Sequence, residues 1–206
     1  MRIGSGLFAF MYDRMSAKTE DAGLREVRRR LLADAKGRVL EIGGGTGANL
    51  QLYGPEVESL TVTEPEQPML RRLDRKAREQ APLTRVLRAR AEELPFADDS
   101  FDTVVSTLVL CGVDDQEQSL REVRRVLRPG GQFMFIEHVR SQEPKVARMQ
   151  DRMNGVNRFV VRCDCNRATL ETIEAEGFEV TKLERTELPK SPPFARPLIV
   201  GVATGT

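Results

Sequence analysis

Short apolar runs alternate with amphipathic helical patterns along the first two thirds of the chain. One helical pattern covers residues 118–128, where Leu120, Val123 and Leu127 recur at i, i+3 and i+7 and define one buried face. Helical patterns between strands indicate crossover connections, and strands connected in this way run parallel. The runs predicted to share this parallel sheet are residues 38–42, 60–63, 86–89, 102–107 and 132–137.

The last third of the chain follows a different pattern. Residues 138–166 form a long irregular stretch, and a helix is predicted over about 167–176, with Gly177 as its stop. Two strand-like segments, 178–183 and 197–203, are joined by a proline-rich connection rather than a helix, which favours an antiparallel pair. The predicted fold class is therefore α/β: a Rossmann-like, mostly parallel sheet of seven strands with an antiparallel last strand and helices on both faces.

The N-terminal residues are predicted to be helical. Leu24, Val27 and Leu31 give residues 1–37 one apolar stripe. A length of 206 residues fits one domain with a sizeable core, so we expect a single domain over 1–206. Within it, residues 1–35 are expected to form a helical lid and residues 138–166 an insertion on the substrate side.

Charge and composition limit the partners. The 32 basic and 31 acidic residues leave a formal charge of +1, so a strongly basic nucleic-acid footprint is missing. No stretch approaches the ~20 apolar residues of a membrane span, and no stable membrane anchor is expected. Three cysteines without a regular framework indicate reduced thiols and a cytoplasmic protein. We expect a small-molecule substrate and a monomer or homodimer.

A glycine-rich turn follows the first predicted strand. Residues 39–47 read VLEIGGGTG, and a helical pattern comes after them. Gly43, Gly45 and Gly47 allow a sharp turn and a close approach of the backbone to a ligand, and amides at the start of a helix can donate to it. Alone, such a turn also fits a dinucleotide site or an ordinary strand–turn–helix with packing glycines.

Polar residues at later strand ends narrow the choice of ligand. Glu64 ends the second strand, where a carboxylate can accept both ribose hydroxyls of an adenosine. Residues 90–96 and 106–108 follow the third strand and end the fourth, on the same sheet edge. The spacing is G-x-G-x-G rather than G-x-G-x-x-G, and Glu41 stands two residues before the first glycine. An acid there repels phosphate but suits an ammonium, which favours S-adenosylmethionine (SAM) over a dinucleotide.

These segments resemble class I SAM-dependent methyltransferases. The resemblance rests on VLEIGGGTG, Thr63-Glu64-Pro65, AEELPFADDSFD (91–102) and VLRPGG (126–131). A closer similarity, to the methyltransferase-like thiol methyltransferases and their small bacterial relatives, rests on YDRM (12–15), STLVLCGV (106–113), EHVR (137–140) and CDCNRATLETIEAEGF (163–178). Two departures from these relatives are expected. We expect no counterpart of the membrane-anchoring apolar helix of the animal relatives, and Asp164 stands where the resemblance implies a neutral or histidine side chain.

The resemblance implies a set of cofactor contacts for SAM and its product S-adenosylhomocysteine (SAH). The methionine end would be lined by Glu41, Gly43, Gly45 and Gly47, with Tyr12 closing over the carboxylate. The remaining contacts would be Glu64 to ribose, Pro65 and Met69 flanking the cofactor, Ala91 and Glu92 at adenine with Leu94 packed nearby, and Thr107 under the sulfonium.

The acceptor side is less defined. His138, at the end of the fifth strand, has a pKa range that suits a general base, and a strand-end histidine without a chemical task is the alternative. Asp164 and Arg167 could bind a polar acceptor, and Asn166 could do so or cap the following helix. Cys111 is expected to be a small core residue. No metal is expected, because three scattered ligands make a poor site.

The predicted activity is transfer of the SAM methyl group to a small-molecule acceptor. A thiol is the first choice, on resemblance, since it ionises with little help. The alternatives are an N- or O-methyltransferase of a small metabolite or phospholipid amine, a SAM-binding module without catalysis, and an NAD-dependent oxidoreductase.

Overall fold

Seven strands form one sheet in the order β3-β2-β1-β4-β5-β7-β6. The computed structural model describes residues 17–205. Strands β1 to β5 pair in parallel, and β7 lies antiparallel between β5 and β6, which confirms the predicted fold class. The strands are β1 (Gly37–Ile42), β2 (Val57–Thr63), β3 (Arg85–Leu87), β4 (Phe101–Thr107), β5 (Leu127–His138), β6 (Phe178–Glu187) and β7 (Pro197–Gly205).

Helices cover both faces of this sheet. Successive residues of β5 point to opposite faces, so Phe133 joins the core beneath one layer of helices and Met134 the core beneath the other. The described helices are α1 (Arg25–Leu32), preceded by a π-helical turn (Glu20–Leu24), α2 (Gln67–Gln80), α3 (Gln116–Val126), α4 (Pro144–Val161), α5 (Thr169–Ala175) and a 3-10 turn (Pro193–Ala195). Helices α1 and α2 contribute to the Met134 core, and α3 and α5 to the Phe133 core.

Local signals explain where several elements begin and end. Asp115 caps α3 by accepting a hydrogen bond from the backbone N–H of Gln118 at 2.9 Å. Gly177, predicted as the stop of the last helix, has a φ of +83°, and that helix ends two residues earlier at Ala175. Because β1 to β5 run parallel, their carboxyl ends lie at one edge of the sheet, and the connections to the next elements begin there.

Two predictions about the connections were wrong. No helix follows the glycine turn: residues 43–56 form a series of turns before β2. Conversely, the stretch predicted to be irregular, 138–166, contains the 18-residue helix α4. This helix buries only Ala147 and Gln150, while Val156 and Phe159 are exposed, so its sequence lacks the core-facing stripe that marks a packed helix.

Candidate active site

A cleft of about 1050 Å³ opens beside the carboxyl ends of the parallel strands. Its walls come from the glycine turn, the start of α2, the segment after β3, the segment after β4 and the end of α4. The predicted site residues that line it are Gly43, Gly45, Glu64, Pro65, Met69, Ala91, Glu92, Leu94 and Asp164. The fold thus brings residues more than a hundred positions apart to one cleft.

The glycine turn brings bare backbone to the cleft. Gly43, Gly45 and Gly47 have φ values of +60°, +57° and +82°, which side chains disfavour. A Cβ at Gly43 would lie 2.6 Å from the side chain of Val109, whereas a Cβ at Gly45 would meet nothing within 4 Å. The space in front of Gly45 is therefore open to a ligand.

Glu64 stands beside Gly45 at the end of β2. Its carboxylate accepts the backbone N–H groups of Gly45 at 2.9 Å and Glu66 at 2.8 Å. Burial raises the pKa of Glu64 to about 7, although both hydrogen bonds act in the opposite direction. Each carboxylate oxygen keeps a further lone pair, so the group can still accept hydroxyls from a ligand.

Glu41 lies in a buried polar layer beneath the turn and does not line the cleft. Its carboxylate accepts from Asn49 Nδ2 at 2.9 Å and from the Tyr53 hydroxyl at 2.7 Å. Burial raises the pKa of Glu41, and these hydrogen bonds oppose that shift. Asn49 Nδ2 also donates to Thr107 Oγ1 at 3.0 Å, and Asn49 Oδ1 accepts from Arg28 at 3.1 Å. The layer therefore ties α1 to β1 and β4.

The far side of the cleft follows β3. Ala91 and Leu94 are buried there, and Glu92 accepts hydrogen bonds from Arg90 and from the backbone N–H of Asp114. Burial acts to raise the pKa of Glu92, but these partners hold it below its usual range. The wall that would receive adenine is thus fixed to the segment after β4.

A buried carboxylate at the end of β5 shapes the segment after β4. Glu137 Oε1 accepts from the Ser106 hydroxyl at 2.6 Å and the Val109 N–H at 3.0 Å, and Oε2 accepts from the Cys111 N–H at 3.4 Å. Leu108, within this segment, has a φ of +62°, a strained value for a branched residue. Burial raises the pKa of Glu137 to about 7.

His138 lies behind the cleft wall rather than among the residues that line it. It is only 8% exposed, and its Nδ1 lies 3.6 Å from Cys111 Sγ and 3.4 Å from Cys163 Sγ. Burial disfavours a charged imidazole, but the hydrogen bond and charge of Cys111 raise the pKa of His138 to about 9. The hydrogen bond from Cys163 lowers the pKa of Cys111 to about 5. The imidazole therefore belongs to a thiol cluster.

Asp164 lines the cleft, and three side chains hydrogen-bond to its carboxylate. It accepts from Arg158 at 2.8 Å, Arg167 at 2.8 Å and Asn154 at 2.9 Å. Arg167 also donates to the backbone carbonyls of residues 110 and 113. Asn166 donates to Asp151, while Ala168 occupies the cap position of α5 without a side-chain bond. Tyr12, the last predicted cofactor contact, lies outside the described residues.

Sequence reasoning assigned no part in the site to Asn49, Tyr53, Arg28 and Glu137. Asn49 and Tyr53 were missed because a helix was predicted after the glycines. A helix there did not suggest that both side chains contact Glu41. The signal that could have found Glu137 is its acidic side chain in an otherwise apolar run of β5, where a charge needs buried partners.

Comparison with known proteins identifies the family of this chain. Residues 40–135 match the methyltransferase domain family. The chain is 36% identical over 170 residues to the thiol S-methyltransferase TMT1A of Homo sapiens, covering 80% of this chain and 69% of that protein. It is 30% identical over 173 residues to the phosphatidylethanolamine N-methyltransferase of Cereibacter sphaeroides, covering 80% and 84%. The four thiol S-methyltransferases compared are matched over 46% to 69% of their lengths.

A solved structure extends the likeness to the whole fold. The Thermotoga maritima protein described as a SAM-dependent methyltransferase and possible histamine N-methyltransferase superimposes with a TM-score of 0.72, at 22% identity and over 98% of each chain. The chain belongs to the SAM-dependent methyltransferases of the class I fold, and SAM is its cofactor. Across residues 17–205, every helix is too short or too polar to cross a membrane.

Proposed function

We propose that this enzyme transfers the methyl group of SAM to the sulfur of a small thiol. The main support for a thiol acceptor is the 36% identity to a thiol S-methyltransferase over 80% of this chain. A cleft of about 1050 Å³, just above the ~300–1,000 Å³ usual for small-ligand pockets, has room for SAM and a small acceptor together, which supports a small-molecule acceptor.

The titratable groups in the cleft wall support a thiol. The described lining residues include carboxylates and arginines but no imidazole, and His138 stands behind them. A thiol has an unperturbed pKa near ~8.5 and ionises at neutral pH with little help, whereas an alcohol needs a base. We therefore propose that neither His138 nor Asp164 removes the acceptor proton, and that the thiol ionises to water.

Cofactor binding follows from the polar groups at the strand ends. When bound, SAM supplies a methyl group already activated by a positive sulfur. We propose that Glu64 accepts the ribose hydroxyls, that the Gly43–Gly45 backbone faces the methionine end, and that Ala91, Glu92 and Leu94 form the adenine wall. Pro65 and Met69 flank the same space. Glu41, Gly47 and Thr107 would act from beneath by fixing the turn.

The acceptor would enter beside the end of α4. Phe159, Val160 and Val161 give this wall an apolar surface, and Arg158 and Arg162 add positive charge. Methyl transfer is an in-line displacement, so alignment of the thiol and exclusion of water supply the acceleration. Residues 138–166 would thus form the substrate side of the domain.

A second candidate acceptor is a phospholipid amine. It is favoured by the 30% identity to a phosphatidylethanolamine N-methyltransferase over 84% of that protein. The exposed Phe159 on the cleft wall, with the exposed Val156 three residues before it on α4, suits an acceptor with an apolar tail.

An acceptor panel separates the candidates. The purified chain would be incubated with SAM and an aryl thiol, the matching phenol, the matching aniline, or vesicles containing phosphatidylethanolamine, while SAH release is followed. We expect turnover with the thiol at least tenfold above the others. Faster turnover with the vesicles than with the thiol would show that the acceptor is a phospholipid amine. Tight SAM binding without turnover on any acceptor would show a binding module instead.

A further inference from the structure

The three cysteines and the single histidine of the chain converge on one buried site. Cys111 comes from the segment after β4, His138 from the end of β5, and Cys163 and Cys165 from the connection between α4 and α5. The exposed fractions of these four residues range from 2% to 8%. The expectation of scattered ligands was therefore wrong, since segments fifty residues apart meet here.

The backbone fixes this convergence. The N–H of Asp164 donates to the carbonyl of Cys111 at 2.7 Å, which holds the two cysteine segments side by side. Asn157 Nδ2 donates to the Cys163 carbonyl at 2.6 Å and to Cys165 Sγ at 3.1 Å. The three cysteines are free thiols rather than a disulfide.

The distances among the ligand atoms of Cys111, His138 and Cys163 are close to those of a tetrahedral metal site. Zinc–sulfur bonds of about 2.3 Å and zinc–nitrogen bonds of about 2.0–2.1 Å place neighbouring ligand atoms of a tetrahedron about 3.8 Å (S to S) and about 3.6 Å (S to N) apart. Here Cys163 Sγ lies 3.6 Å from Cys165 Sγ, and His138 Nδ1 lies 3.6 Å and 3.4 Å from the sulfurs of Cys111 and Cys163. The ligand atoms of Cys111, His138 and Cys163 all lie within 4.8 Å of one another.

We propose that Cys111, His138 and Cys163 bind a zinc ion, and that Cys165, which lies 3.6 Å from Cys163 Sγ but outside this group of three, turns inward to supply the fourth ligand. Thiolate and imidazole are the ligands that structural zinc sites use, and four protein ligands leave no open position for chemistry. Asn157 then supports the site from outside by its hydrogen bond to Cys165, as groups behind metal ligands commonly do.

The position of the proposed site indicates a structural role for the metal. Val109, Gly112 and Val113 line the cleft on either side of Cys111, and Asp164 lines it between Cys163 and Cys165. A metal behind them joins the wall after β4 to the end of α4. The zinc would order the acceptor side of the cleft without touching the acceptor, whichever acceptor that is.

The test begins with the full-length protein. After purification under reducing conditions, zinc would be measured by elemental analysis, and we expect one equivalent per chain. Zinc would then be removed with a chelator and replaced by cobalt. Tetrahedral thiolate ligation predicts intense visible d–d bands and thiolate-to-cobalt charge transfer in the near ultraviolet. Hydrogen exchange is expected to speed up in residues 108–113 and 162–166 on chelation, with β1 and β2 unchanged.

Variants assign the ligands. Cys111→Ser and Cys163→Ser should weaken zinc binding by at least about 100-fold, since each removes a ligand atom. Val161→Ala, which trims a side chain packed on the cluster but removes no ligand, should keep the bound zinc. Circular dichroism would show that each variant is folded. The proposal is overturned if the reduced wild-type chain, with three titratable thiols, neither retains zinc nor gives the tetrahedral cobalt spectrum.

Discussion

The carboxylate of Glu64 accepts the backbone N–H of Gly45 at 2.9 Å, so the two residues that we propose to contact the cofactor also contact each other. In the proposed site Glu64 would accept the ribose hydroxyls, and the open space in front of Gly45 would receive the rest of the ligand. The contact places a strand end and a glycine turn in one fixed unit.

The affinity for SAH should depend on pH through Glu64. Burial raises the pKa of Glu64 to about 7, and an ionised carboxylate is the better acceptor for two hydroxyls. If only the ionised form binds well, affinity rises as pH rises through 7, and the Kd at pH 6 should be about tenfold that at pH 8. Titration calorimetry with SAH measures both values.

The matched control for this pH dependence is Glu64→Gln. It should bind more weakly than the wild type at pH 8 and show little change between the two pH values. A wild-type affinity that is flat across this range, or a variant that keeps the full pH dependence, would show that another group titrates.

A methyl group at Gly45 should block the cofactor. Gly45→Ala places a Cβ in the open space of the cleft, and its φ of +57° adds about 1–2 kcal/mol of backbone strain. Gly130 offers a matched control, with a φ of +76° and nothing within 4 Å of its Cβ, away from the cleft. Both variants should lose similar stability in urea, but only Gly45→Ala should lose SAH affinity. Equal losses of affinity would contradict this placement.

Asn49 should matter for stability far more than an exposed asparagine does. Asn49→Leu removes hydrogen bonds to Glu41, Thr107 and Arg28 from a residue that is 1% exposed. Two charged groups then lose a buried partner, and we expect a loss of about 2–4 kcal/mol in the free energy of unfolding.

Asn166→Leu is the control for Asn49→Leu, because Asn166 makes an exposed hydrogen bond to Asp151. It should change the unfolding midpoint in urea only slightly. Similar midpoints for the two variants would mean that the buried layer beneath the glycine turn contributes little.

Asp164 should position the cleft wall rather than exchange a proton. Asp164→Asn weakens the bonds to Arg158 and Arg167, and we expect it to cost about 2 kcal/mol of stability and to raise the KM for the acceptor. The pH profile of kcat should keep its shape. Asp151→Asn, which alters an exposed pair with Arg140, should leave stability and KM nearly unchanged. If the pH profile of kcat lost its acidic limb in Asp164→Asn, Asp164 would be identified as a general base.

The sequence predicted the sheet, and which residues lie at its carboxyl edge, for a physical reason. Parallel strands buried on both faces are short apolar runs, and their carboxyl ends meet at one edge. Glu64 at one strand end and Gly45 after another were therefore expected to meet, and they do. The same reasoning placed Ala91 and Leu94 in the cleft.

The acceptor side could not be predicted in the same way. Helix α4 exposes its large apolar residues, so no core-facing period marks it. The thiol cluster depends on how that helix returns Cys163 to Cys111, a contact between distant segments with no local signal. His138 was expected at the cleft because it ends a strand, but Glu137 beside it supports the wall and the imidazole turns to the sulfurs.

The most direct test of the proposed function is to follow the transferred methyl group. The chain would be given SAM with a deuterated methyl group and an aryl thiol, and the products would be analysed by mass spectrometry. We expect the label on sulfur and an equal amount of SAH. Gly45→Ala should abolish both, and Gly130→Ala should retain both. SAM that binds tightly while the thiol stays unlabelled, or label that appears only on an amine, would contradict the proposed function.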